Sequence, residues 1–206
     1  MSNRLPALPL APPSQGLPRL TTARLEVRIA QAGDADAISR YVNENAAFLQ
    51  PWEPKRAPSY YTPAYWRLQI ARDPEDFLQD RGVRFFLFDR TVAETRVMGV
   101  ATFGNLVRGA AQYCTLGYAV AQSAQGSGLM REALEDAAIP YVFREMRLHR
   151  IHANYIPRNE RSGGLLRRLG FSVDGYARDY LFINERWEDH ILTSRTNEDW
   201  HPHESF

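Results

Sequence analysis

The stretch Thr115-Leu116-Gly117-Tyr118-Ala119-Val120, continued by Ala121-Gln122-Ser123-Ala124-Gln125-Gly126-Ser127-Gly128-Leu129-Met130, decides how the chain is read. It has the form of a buried strand, a turn of small residues and the first turn of a helix. Leu129, Met130, Ala133, Leu134, Ala137 and Tyr141 recur at helical spacing, which predicts a helix with one apolar face. Gly126 and Gly128 remove side chains where a helix begins and backbone N–H groups lack intrahelical partners. Such a turn gathers donors around a phosphate, aided by the positive end of the helix dipole. No Gly-Lys-Ser/Thr follows, so this is not a P-loop. The third glycine and downstream acid of a dinucleotide fingerprint are also missing. Taken alone, the stretch fits an ordinary tight turn as well as an anion cradle.

A second cluster adds to it: Asn154-Tyr155-Ile156-Pro157-Arg158-Asn159-Glu160-Arg161-Ser162, ending in Leu169-Gly170-Phe171. The pair Gln-Gly-x-Gly-Leu-Met and Asn-x-x-Ser…Leu-Gly-Phe resembles the GCN5-related N-acetyltransferase (GNAT) superfamily. Within it the chain is similar to the RimJ type, the ribosomal-protein-alanine N-acetyltransferases. The likeness runs from about Thr21 to Trp200. It includes Phe48-Leu49-Gln50-Pro51-Trp52-Glu53-Pro54, Gly99-Val100-Ala101, Asn105-Leu106-Val107-Arg108-Gly109 and Gly175-Tyr176-Ala177-Arg178-Asp179-Tyr180-Leu181.

With 206 residues, 44% of them apolar and 24% charged, the chain suits one soluble domain with a sizeable core. A net charge of +1 gives no global field to draw nucleic acid or an acidic membrane surface. The lone Cys114 excludes an intrachain disulfide and a cysteine-based zinc site, and suits a reducing cytoplasm. No apolar run approaches the ~20 residues of a membrane span. Pro6, Pro9, Pro12, Pro13 and Pro18 break the apolar core a signal peptide needs, so residues 1–20 are expected to be a mobile proline-rich lead-in. Residues 21–200 then form a single domain, and 201–206 a frayed tail.

Along the chain, Leu25–Ile29 alternates as a strand, and Asp34 is placed to cap a helix running to about Asn45. Prolines 51, 54 and 58 make 46–59 irregular. Thr62-Pro63 opens a helix to about Gln79. Strands follow at 83–88, 97–105 and 112–120. Next come the helix from Gly128, expected to bend at Pro140, a strand at 150–155 and a short helix stopped by Gly170. A hairpin of 171–183 and 187–193 closes the chain. The order is antiparallel early and βαβα later, a mixed α/β (α+β) class. The resemblance implies the acyl-CoA N-acyltransferase fold, a mostly antiparallel sheet with a V-shaped splay, flanked by helices.

The resemblance also implies the site. Gln125, Gly126, Ser127, Gly128, Leu129 and Met130 would hold the pyrophosphate of acetyl-CoA, the co-substrate, with no metal. Tyr118, Ala119 and Val120 would pair with its pantetheine arm. Asn159 and Ser162, spaced as an N-cap pair, would meet the arm and lie near the sulfur. The implied acceptor is a protein N-terminal α-amine, an alanine of a ribosomal protein. A small amine, or a non-catalytic acyl-CoA-binding module, is the alternative. Glu53, Asp179 and Glu188 are the candidate bases, Glu53 first, with Ser162 and Tyr180 as candidate acids. Relatives place a Tyr seven residues after the Asn, where this chain has Leu166. Trp52, Phe103, Asn105 and Tyr180 are expected to line the acceptor groove. His149 and His152 are spaced like a metal pair, with no nearby carboxylate or cysteine to complete it.

Overall fold

A computed structural model describes residues 16–202. The expectations for residues 1–15 and 203–206 lie outside those residues. Arg19 and Leu20, expected in the lead-in, are instead part of strand β1 (Arg19–Thr21). The remaining strands are β2 (Leu25–Arg28), β3 (Val83–Asp89), β4 (Val97–Val107), β5 (Tyr113–Val120), β6 (Arg150–Tyr155), β7 (Ser172–Ile183) and β8 (Arg186–Thr196). All eight form one sheet in the order β1-β2-β3-β4-β5-β6-β8-β7. Every neighbouring pair is antiparallel except β5 and β6.

Helix α1 (Ala35–Glu44), the short α2 (Ala46–Leu49) and α3 (Pro63–Leu78) precede β3. Thr62 caps α3 by accepting from the Tyr65 N–H at 3.3 Å, with Pro63 at the first helical position, as the sequence predicts. Asp34 behaves differently from expectation. It sits at the start of α1, but its side chain turns away from the helix to take two hydrogen bonds from the Arg28 guanidinium, at 2.6 and 3.0 Å. Arg28 also binds Glu26 and lies 3.8 Å from the Phe88 ring centroid. Both partners are buried. Removing one member of such a pair strands a buried charge, so Asp34→Ala is expected to cost about 3 kcal/mol. Urea denaturation checks it; a loss under 1 kcal/mol contradicts the assignment.

The helix after Gly128 is not broken at Pro140. Between α4 (Leu129–Glu132) and α5 (Ile139–Arg144) the chain takes π-helical turns over Ala133–Ala138. Widening the turn relieves the clash between the proline ring and the preceding carbonyls. Helix α6 (Glu160–Arg168) follows β6, capped by the Asn159 side chain. The closing hairpin turns on two residues, Asn184 and Glu185, both with positive φ, the geometry that matches strand twist.

Candidate active site

The β5–β6 pair is where the sheet opens. Its register runs Tyr113↔Arg150, Cys114↔Ile151 and Thr115↔His152, and then stops, although β5 continues to Val120 and β6 to Tyr155. The Ala121 N–H donates to the Met98 carbonyl at 2.8 Å, so odd-numbered main-chain groups here face β4. By strand alternation the amide groups of Tyr118 and Val120 face the gap. Ala119 does not offer its main chain in the same way. Its carbonyl is turned to β4, close enough that a Cβ on Gly99 would lie 2.6 Å from it.

A cleft of about 800 Å³ passes through this gap. At one end Gln125 and Arg161 line it, in contact with each other, and the Gly126–Met130 turn lies just beyond. Gly126 and Gly128 have φ of 73° and 79°, which only glycine adopts freely. Among the described residues, no hydrogen bond uses the N–H of Gly126, Gly128, Leu129 or Met130. The Gln125 and Ser127 N–H groups are turned back to Gln122 and Ala124, at 3.2 and 3.4 Å. The turn therefore presents a run of unspent donors at a helix start.

Midway, the Tyr118 hydroxyl and Ser162 Oγ are 2.8 Å apart. Asn159 accepts from the Ser162 N–H at 3.2 Å, which fixes Ser162 on the first turn of α6. Burial pushes the Tyr118 phenol up to about 12, with the Ser162 hydrogen bond acting against it.

At the far end stand Trp52 and Glu53, in the segment between α2 and α3. The Glu53 carbonyl accepts from the Asn184 N–H at 3.1 Å, so the closing hairpin holds this segment in place. Burial raises the Glu53 carboxyl above the ordinary glutamate range, opposed by the Arg56 guanidinium at 3.6 Å. Arg158 stacks on Trp52 at 4.8 Å.

Residues 24–172 match the acetyltransferase (GNAT) domain family. The chain belongs to the GNAT family of acetyltransferases. It is 48% identical over 184 residues to the [ribosomal protein uS5]-alanine N-acetyltransferase of Escherichia coli (strain K12), covering 89% of this chain and 93% of that one. The crystal structure of ribosomal-protein-S5-alanine acetyltransferase from Vibrio fischeri superposes with a TM-score of 0.84 at 37% identity, covering 89% of this chain and 99% of that one. Mycobacterium smegmatis RimJ in complex with CoA-disulfide superposes at 0.77 with 27% identity, covering 86% and 88%. The mixed α/β class and the mostly antiparallel GNAT sheet read from the sequence are those of this structure.

Not every residue expected at the GNAT site reaches the cleft. Phe103 does not line it: the side chain is 0% exposed and its ring packs edge-on against Phe85 at 6.3 Å. Its neighbours Val100 and Thr102, of opposite parity on β4, line the cleft instead. Asn105 is exposed, with φ of 51°, at the irregularity where β4 loses register with β5, and is not part of the lining. Asp179 is likewise outside, at a bulge in β7, where its N–H donates to Asp189. Tyr180 touches the wall through its hydroxyl, 3.3 Å from Asn154 Nδ2. Glu188 is held by Arg158 and Arg186. Leu166 is buried in the core.

Two guanidinium groups that the sequence did not point to meet the glycine turn. Arg24 donates to the Ser127 carbonyl at 3.1 Å while paired to Glu132, and Arg161 reaches Gln125 from α6. A larger hollow of about 1130 Å³ lies between α5 and residues 194–202. None of the residues expected at the site borders it. His152 packs on Tyr113 and lies 3.9 Å from Asp174, while His149 packs on Trp200. No group of three or more potential ligands is found among the described residues. No helix among them is long and apolar enough to cross a membrane.

Proposed function

We propose that the protein transfers the acetyl group of acetyl-CoA to the N-terminal α-amine of a ribosomal protein in the cytoplasm, with alanine as the acceptor residue. The observation that supports this most is a cleft that runs across an opened strand pair from Gln125, beside the unspent N–H groups of Gly126, Gly128, Leu129 and Met130, to the half-buried Glu53 carboxylate. The 48% identity to a ribosomal-protein alanine N-acetyltransferase supports the choice of acceptor.

The free N–H groups of the turn bind the diphosphate. The Tyr118 and Val120 amides pair with the pantetheine arm as one strand does with another. The Val120 N–H then donates to the thioester oxygen as negative charge builds there. An α-amine with pKa ~7.7–8.0 is partly neutral near pH 7, whereas a lysine amine at ~10.4 is almost wholly charged. Glu53, alone or through a water, accepts the proton shed when the C–N bond forms. As the C–S bond breaks, the hydrogen-bonded Tyr118–Ser162 pair delivers a proton to sulfur, a light demand for a thiol of pKa ~8.5.

Acceptor choice is tested with a panel of alanine N-terminal peptides, α-blocked lysine peptides and small amines, following thiol release. Selective turnover of the first group is expected; turnover confined to small amines overturns the reading. Ser162→Ala is expected to lower kcat about fivefold to tenfold with acetyl-CoA affinity little changed. Equal losses in both would make Ser162 a binding or capping residue only.

A further inference from the structure

The acceptor end of the cleft contains two side-chain donors that no described residue uses. The Tyr41 hydroxyl and the Trp66 indole N–H are buried without a hydrogen-bond partner among the described residues. Their residues are 4% and 5% exposed, and both line the cleft. Tyr60 lies beside Trp66, with ring centroids 5.2 Å apart. Unpaired buried donors are costly and few in folded proteins. Packing accounts for the rings, since Trp66 stacks edge-on against Tyr60, Tyr65 and Phe86. It does not account for the polar atoms.

Glu53 lines the same end and, when ionised, only accepts. One acceptor together with two donors is the complement of a particular ligand. An amine donates to the carboxylate, and a carbonyl oxygen one carbon further on accepts from the phenol and the indole. The first residue of a polypeptide has that order of groups. A polyamine has no carbonyl to offer. The three cations at this end already face carboxylates: Arg84 lies 3.3 Å from Asp73, Arg56 lies 3.6 Å from Glu53, and Arg158 pairs with Glu188.

We infer that Tyr41 and Trp66 hold the carbonyl oxygen of the acceptor's first residue and so select a peptide N-terminus over a simple amine. The inference rests on the proposed N-terminal acetylation and names the groups that give it specificity.

The test uses two alanine N-terminal peptides, one natural and one with its first peptide bond replaced by a trans-alkene that lacks the carbonyl. Each is assayed with the wild-type protein, Tyr41→Phe and Trp66→Phe. Comparing ratios between proteins cancels the different basicity of the two amines. Wild type is expected to prefer the natural peptide. Each substitution should lower kcat/KM for that peptide about tenfold, leave the alkene peptide unchanged and leave the KM for acetyl-CoA unchanged. Tyr41→Phe removes one oxygen atom and keeps the ring, so it decides the matter even if Trp66→Phe does not fold. Equal losses on both peptides, or no loss on either, overturn the inference and leave the acetylation reading standing. A wild-type protein that acetylates small amines and neither peptide overturns the acetylation reading itself.

Discussion

Gly128→Val is expected to weaken acetyl-CoA binding about a hundredfold while leaving the fold intact. The residue has φ of 79°, a conformation that costs a residue with a side chain roughly 1–2 kcal/mol and a β-branched one more. Valine relaxes that strain by turning the peptide planes on either side of it. The N–H groups of Gly128 and Leu129 then no longer converge on one point. Losing two charge-assisted hydrogen bonds at ~1.5–3 kcal/mol each accounts for a change of that size. Space is not the cause, because the nearest atom to an added Cβ is an Arg24 nitrogen at 3.8 Å. Gly126→Val, with φ of 73° and nothing within 4 Å, is expected to behave alike. Calorimetric titration with CoA measures the effect, and circular dichroism checks the fold. Unchanged affinity in a folded variant would falsify the cradle.

Glu53→Gln should lower kcat/KM for an N-terminal peptide about a hundredfold, with acetyl-CoA affinity preserved. Glutamine keeps the shape and removes the basic lone pair. The pH dependence gives the sharper readout. Burial raises the Glu53 carboxyl, so its basic form is lost as pH falls through a value above the ordinary ~4.3. Below the limb set by deprotonation of the acceptor α-amine (pKa ~7.7–8.0), the wild-type profile should therefore carry a second acid limb, higher than a solvated glutamate allows, and that second limb should vanish in Glu53→Gln. The Arg56 cation opposes burial, so Arg56→Met should move the second limb to still higher pH. A second limb that stays in place in Glu53→Gln assigns the proton to water or to another group.

The elements with local signals were legible before any coordinates. Thr62-Pro63, Asn159 with Ser162, and the two glycines of the turn announce helix starts through caps and backbone needs, which depend on a few neighbouring residues. Strand alternation was visible too, but not which face of a strand meets the cleft. Phe103 shows the consequence: a shift of one residue exchanges a core ring for a cleft-lining Thr102. Asp179 and Asn105 were misplaced for a related reason. Each sits at an irregularity in strand pairing, with positive φ, and such irregularities depend on the neighbouring strand.

By itself the sequence determined most of the elements, the family and the position of the glycine turn, because each rests on residues a few places apart. Tertiary structure alone decided which groups meet. Tyr118 finds Ser162 across 44 positions, Arg24 reaches Ser127 across 103, and the Glu53 backbone is held by Asn184 of the last hairpin. Such encounters follow from how far the β5–β6 pair opens and how the hairpin folds back over it. Both are settled by packing across the whole sheet, to which residues distant in the chain contribute together.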